Sequence, residues 1–289
     1  MRPSIRRVVF LLATALLLQG CSVVRMGYGN ADSLARWWID QYLDLSPEQD
    51  ALSRERLARL FAWHRKTQLP DYVALLHQGK AFAAGQPTTS DALALGDELV
   101  RRVRIVAEQA TPDVADLAAT LTSAQIDRMA ARFADKNDDL ANEMRLAKGD
   151  AAQHKARYKR LLERAEYWLG DFSNAQESAL RRMVEAQDPG GQFWYEERLR
   201  RQRELLDLMR QVQRERPPRE RIIKLLNDYT TRFDLPPDPV RLARARAMRH
   251  ASAELTVAIL DMATPAQRAH AQQRFDDLIH DFTDLSKAE

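Results

Sequence analysis

The stretch Leu45-Ser46-Pro47-Glu48-Gln49 decides the fold. A hydroxyl residue with glutamine three positions later is a capping box. The hydroxyl accepts from the helix's third backbone N–H, and the glutamine reaches back to the cap's own N–H. The proline between them suits the first helical position, where its missing N–H is harmless. The frame returns at Leu121-Thr122-Ser123-Ala124-Gln125, Phe172-Ser173-Asn174-Ala175-Gln176 and Ala263-Thr264-Pro265-Ala266-Gln267. Eleven residues past each hydroxyl stands an apolar side chain: Leu57, Phe133, Val184 and Phe275. The boxes lie 76, 51 and 91 residues apart. Such uneven intervals exclude a solenoid and read as four independent caps.

Outward from these starts, apolar residues recur at i, i+3 and i+4, and the chain holds only ten glycines. No stretch alternates with period two long enough to be a strand. Helices are expected at 31–44, 47–66, 70–83, 90–109, 112–119, 123–146, 151–169, 174–187, 191–213, 218–233, 239–261 and 265–285. This is an all-α, irregular multi-helix bundle of about ten to twelve helices with no significant β-sheet. Thr111-Pro112 and Asp238-Pro239 add capped starts, and Leu69-Pro70 breaks or kinks a long helical pattern. Gly85 to Thr89 is a loop, and Arg216-Pro217-Pro218 and Leu235-Pro236-Pro237 are breaks. Asp188-Pro189-Gly190-Gly191 is the expected hinge or subdomain boundary, near 188–191.

The first twenty residues have the three parts of a secretory signal, with an ordinary secreted protein bearing a free thiol, or an uncleaved N-terminal anchor, as the alternative readings. Arg2, Arg6 and Arg7 are its basic start, and Val8 to Leu18 is an apolar run too short to span a bilayer. Cleavage is expected between Gly20 and Cys21. Leu18-Gln19-Gly20-Cys21 resembles the lipobox of bacterial lipoproteins. That resemblance implies a lipid such as palmitate fixed to Cys21, a lipidated tether over 21–30 and a helical periplasmic domain over 31–289. Each buried methylene contributes about 0.8 kcal/mol, so several chains make a permanent anchor. Ser22 in place of aspartate resembles the sorting pattern for the outer membrane of Gram-negative bacteria.

Three of the 44 basic residues lie in that acid-free leader, leaving basic and acidic side chains balanced at 41 each. Such a body has no electrostatic case for nucleic acid. Cys21 is the sole cysteine, so no disulfide is available.

Val24 to Asp32, Trp37 to Leu45, and Phe61-Ala62-Trp63-His64-Arg65 with Leu69-Pro70 form a distinctive set. Together they resemble an uncharacterised family of proteobacterial lipoproteins, a domain of unknown function, over the whole mature chain. The resemblance implies location and helical fold, and no activity. The capping boxes resemble the Leu-Thr-x-x-Gln motif of small periplasmic helical chaperones of the Spy and CpxP type.

Candidate sites are few. Leu34, Trp38, Tyr42 and Leu45 share one helix face, widened by Trp37. Trp37, Trp38 and Tyr42 are the candidate interaction patch, with core packing the plainer reading. Asp40 and Asp44 are a carboxylate pair on the opposite face, read as surface charge. His64, His77, His154, His250, His270 and His280 show no metal-ligand spacing. Asp135-Lys136-Asn137-Asp138-Asp139 begins like a calcium loop, but Leu140 and Leu146 replace its glycine and closing glutamate. Gly-x-Ser-x-Gly and glycine-rich phosphate loops are absent from the sequence. Arginine crowds 198–221 (Arg198, Arg200, Arg201, Arg203, Arg210, Arg214, Arg216, Arg219, Arg221), with Arg241, Arg244, Arg246 and Arg249 beyond. Interspersed glutamates make helical pairing the plainer reading over phosphate contact.

The expectation is a membrane-anchored envelope lipoprotein with no catalytic, cofactor or metal residue. It is read as a non-enzymatic structural or interaction module with an envelope protein partner. The alternatives are a periplasmic holdase, and an envelope enzyme acting on peptidoglycan or lipid through a site assembled from distant helices.

Overall fold

A computed structural model describes residues 23–232 and 236–288. Gly20 and Cys21 lie outside the described residues. Among those described, every regular element is helical. In chain order these are α1 (Val23–Gly29), α2 (Ala31–Leu43), α3 (Pro47–Trp63), α4 (Leu69–Ala84) and α5 (Thr89–Ala118). Then come α6 (Ser123–Glu143), α7 (Asp150–Leu169), α8 (Asn174–Glu185) and α9 (Gly191–Glu215). Last are α10 (Arg219–Thr231), α11 (Pro239–Asp261) and α12 (Pro265–Lys287).

Three segments differ from expectation. The stretch read as a tether is helical from Val23, as α1, and Arg25 bonds Asp281 on α12 at 2.6 Å. Leu69-Pro70 does not stop the chain: a π-turn, His64–Gln68, carries α3 straight into α4. A π-turn leaves room for the proline that a regular ladder lacks. Pro112 starts no helix but sits inside α5. Thr111 turns its hydroxyl back to the Ala107 carbonyl at 2.8 Å instead of capping. Burial of Ala115 and Ala118 downstream, together with Arg219 bonding Asp116 at 2.6 Å, outweighs the helix penalty of proline, about 3 kcal/mol.

All four capping boxes form, and they are not independent. Gln49 and Gln125 face each other, as do Gln176 and Gln267. In the first pair, each glutamine Oε1 accepts its own cap N–H, from Ser46 at 3.0 Å and Thr122 at 3.1 Å. Each Nε2 donates to the partner's Oε1, at 3.2 and 2.6 Å. It also donates to the carbonyl two residues before the partner's cap, Thr120 or Asp44. The second pair repeats this arrangement on the Met262 and Asp171 carbonyls. Both donors and both acceptor sites of each amide are thereby used. Each pair locks two helix–turn–helix corners together with twofold symmetry.

Each pair sits beside its own core. Leu43, Ala115, Ile126, Met209, Val212 and Ile222 build the first, from α2, α5, α6, α9 and α10. Leu169, Phe172, Leu260 and Ala271 build the second, and Leu180, Val184 and Leu255 extend it along α7, α8 and α11. Both draw residues from either side of Asp188–Gly191. That turn is well tied: Asp188 accepts from the Gly190 N–H and from Arg244, both at 2.8 Å. The α4–α12 contact is tight enough that a Cβ on Gly79 would lie 2.8 Å from the Phe275 ring.

Glutamine pairing makes a stability prediction. Q49A and Q125A should each cost about 1–3 kcal/mol in urea titrations, since each strands the partner's amide. The double variant should cost clearly less than the sum. Strict additivity would show that the pair does not act as a unit.

Candidate functional site

Exposed apolar side chains gather at the N-terminal end. Met26 on α1 and Leu34, Trp37 and Trp38 on α2 are all more than half exposed. Trp37 and Trp38 stand at 59% and 57%, so core packing does not account for them. Tyr42 behaves differently. It is half-buried against the first core, with its ring 4.7 Å from Trp38 and 5.6 Å from Phe133. The patch on α2 is therefore Trp37 and Trp38, extended by Leu34, with Tyr42 as its rooted end.

This end is held firmly. Arg25 pairs with Asp281 and, at 2.8 Å, with Asp284. The Tyr28 hydroxyl bonds His64 Nδ1 at 2.8 Å, and His64 Nε2 meets the Tyr72 hydroxyl at 3.3 Å. His64 opens the π-turn, so α1 is stitched to that irregularity and to α12. Burial pushes His64 below its ordinary value and raises Tyr28 and Tyr72, which favours the neutral forms of all three. The sequence shows no partner for His64, because Tyr28 and Tyr72 converge on it only through the π-turn.

Other candidates have local tasks. The Asp40 carboxylate accepts from the Leu45 N–H at 2.9 Å and shapes the turn after α2. Asp44 takes a left-handed conformation (φ 53°) as the helix C-cap, and its carbonyl serves Gln125. His154 bonds the Gln187 carbonyl at 2.9 Å. Among the described residues, no three His, Cys, Asp or Glu side chains are placed to hold a metal ion. No described helix is long and apolar enough to cross a membrane.

The arginine-rich stretch is largely internal wiring. Glu197 on α9 is completely buried and receives Arg200 at 2.8 Å and Arg241 of α11 at 2.6 Å. Arg241 also lies over the Phe193 ring, 5.1 Å from its centre. Arg198 bonds Asn137 and Arg219 bonds Asp116. Burial raises the Glu197 carboxyl, but hydrogen bonds from Arg200 and Arg241 outweigh that, and the net displacement is downward.

Residues 41–234 match the model of a family described as of unknown function, DUF6279. The chain belongs to DUF6279. The match is shorter than the resemblance over the whole mature chain had implied: Val24 to Asp32, Trp37, Trp38, α11 and α12 fall outside it. It holds Gln49, Gln125 and Gln176 but not Gln267. No curated protein matches this DUF6279 chain, and no solved structure does.

A carboxylate held below its ordinary range stabilises the fold at higher pH, and that contribution is lost as pH falls through its folded value. Glu197→Gln should therefore cost about 1–2 kcal/mol at neutral pH, allowing for the partly solvated Arg241. The deficit should narrow progressively below pH 4.5 in chemical denaturation series. A deficit independent of pH would show that charge is not what Glu197 contributes.

Proposed function

We propose that this DUF6279 chain is a lipoprotein anchored through Cys21 on the periplasmic side of the outer membrane, where it works as a non-enzymatic interaction module. In this reading its aromatic face docks an envelope protein. The carrying observation is the exposed Trp37–Trp38 pair, on a helix that begins ten residues after the lipid attachment point. Large aromatic side chains left in water are costly, and tryptophan is enriched where protein surfaces meet. Arg25, Tyr28 and the Tyr42 stack hold that face rigidly to the body, so little ordering cost attends docking. The holdase reading rested on the capping repeats. Those glutamines are occupied in pairing helix ends, so that motif no longer argues for client binding.

Two measurements test the reading. Intact mass of the native protein should show Cys21 as the first residue, carrying fatty chains; an unmodified thiol would end the anchoring claim. A photocrosslinking amino acid at Trp37, in the full chain in its own membrane, should yield one defined protein adduct that Trp38→Ala weakens at least tenfold. Adducts to lipid alone would show that the face lies on the bilayer, and the partner claim would fall.

A further inference from the structure

The second core is incomplete. A cavity of about 470 Å³ opens between α4, α5, α7, α11 and α12, within the range of roughly 300–1,000 Å³ typical of small-molecule sites. Phe82, Trp168, Leu255, Ile259 and Phe275 give it apolar walls. Trp168 and Phe275 stack with ring centres 4.6 Å apart, which fixes one wall. The charged lining has one sign only. Arg157, Arg160 and Arg164, at i, i+3 and i+7 of α7, share the rim, and among the described residues no carboxylate lines the cavity.

These arginines differ from those of α9. Arg157 is held by neutral acceptors, the Asp188 carbonyl at 3.0 Å and the Gln187 side-chain oxygen at 2.6 Å. Burial pushes its guanidinium below the ordinary value, the Asp188 charge opposes that, and neighbouring Arg160 adds to it. Arg160 and Arg164 make no ion pair among the described residues, whereas Arg200 pairs with both Glu197 and Glu204. Cationic groups left unneutralised at the mouth of an apolar chamber call for a ligand with an anionic end and a hydrocarbon body. A peptide suits the chamber poorly. Its backbone N–H and C=O groups need partners, and besides the arginines only Ser252 and Thr256 offer polar side chains there.

We propose that this cavity binds a long-chain fatty acid, with the chain among Trp168, Phe275, Leu255 and Ile259 and the carboxylate on Arg160 and Arg164. The site is separate from the Trp37–Trp38 face and stands or falls without it.

The test uses the full chain in its own membranes and two photoaffinity probes of equal chain length. One ends in a carboxylate, the other in trimethylammonium. The carboxylate probe should label α7 and α11, palmitate should compete, and the ammonium probe should label at least tenfold less. Arg160→Glu with Arg164→Glu should reduce carboxylate labelling at least tenfold. Thr256→Trp, made at an exposed rim position, should block both probes. Equal labelling by the two heads overturns the proposal, as does labelling elsewhere, or labelling indifferent to these variants. So does an apolar photoreactive peptide that labels α7 and α11 without competition from palmitate, which would make the cavity a peptide groove.

Discussion

Two amide pairs, each joining a buried glutamine to a half-buried one, organise this molecule. A glutamine side chain carries two donors and two acceptor sites, and burying it is costly unless all are used. Here each is used, and by geometry that only a second copy of the same turn supplies. The carbonyl that each Nε2 needs lies two residues before the partner's cap, so two helix–turn–helix corners must meet face to face. Position of the turns then sets position of the helices, and three of the four apolar residues eleven beyond a cap reach a core: Val184 is fully buried, and Phe133 and Phe275 are partly buried against the two cores, while Leu57 joins neither.

Chain order and spatial order are therefore interleaved. The first core takes helices from residue 43 to residue 226, and the second takes its own from residue 83 to residue 271. The buried Glu197 with Arg200 and Arg241 adds a further crossing, from α9 to α11. Both cores take residues from either side of Asp188-Pro189-Gly190-Gly191, the stretch with the composition of a linker.

Much of this was legible in the sequence. Capping boxes, prolines at first helical positions and apolar spacing place most helix ends within a few residues, because those signals act locally. What escaped were features whose cause is distant. In sequence the boxes stand as four separate caps, since nothing local says that Gln49 must find Gln125. Pro112 looked like a start, since burial of Ala115 and Ala118 is not visible at the proline. Trp37 and Trp38 had the spacing of core residues and proved exposed, because a helix face says nothing about what lies opposite. Arg160 and Arg164 of α7 do not stand out in sequence beside the crowded arginines of α9, since count is visible there and neutralisation is not.

The join between Arg25 and the carboxylates of Asp281 and Asp284 ties the first described helix to the last. A mechanical load applied upstream of Val23 thus has two routes. It runs along the covalent chain into α2, and it shears across the ion pair and the Tyr28–His64 bond into α12 and the π-turn. Shear across several bonds in parallel resists more than peeling them one by one. Tension arriving at α1 would therefore be shared between helices near opposite ends of the described chain.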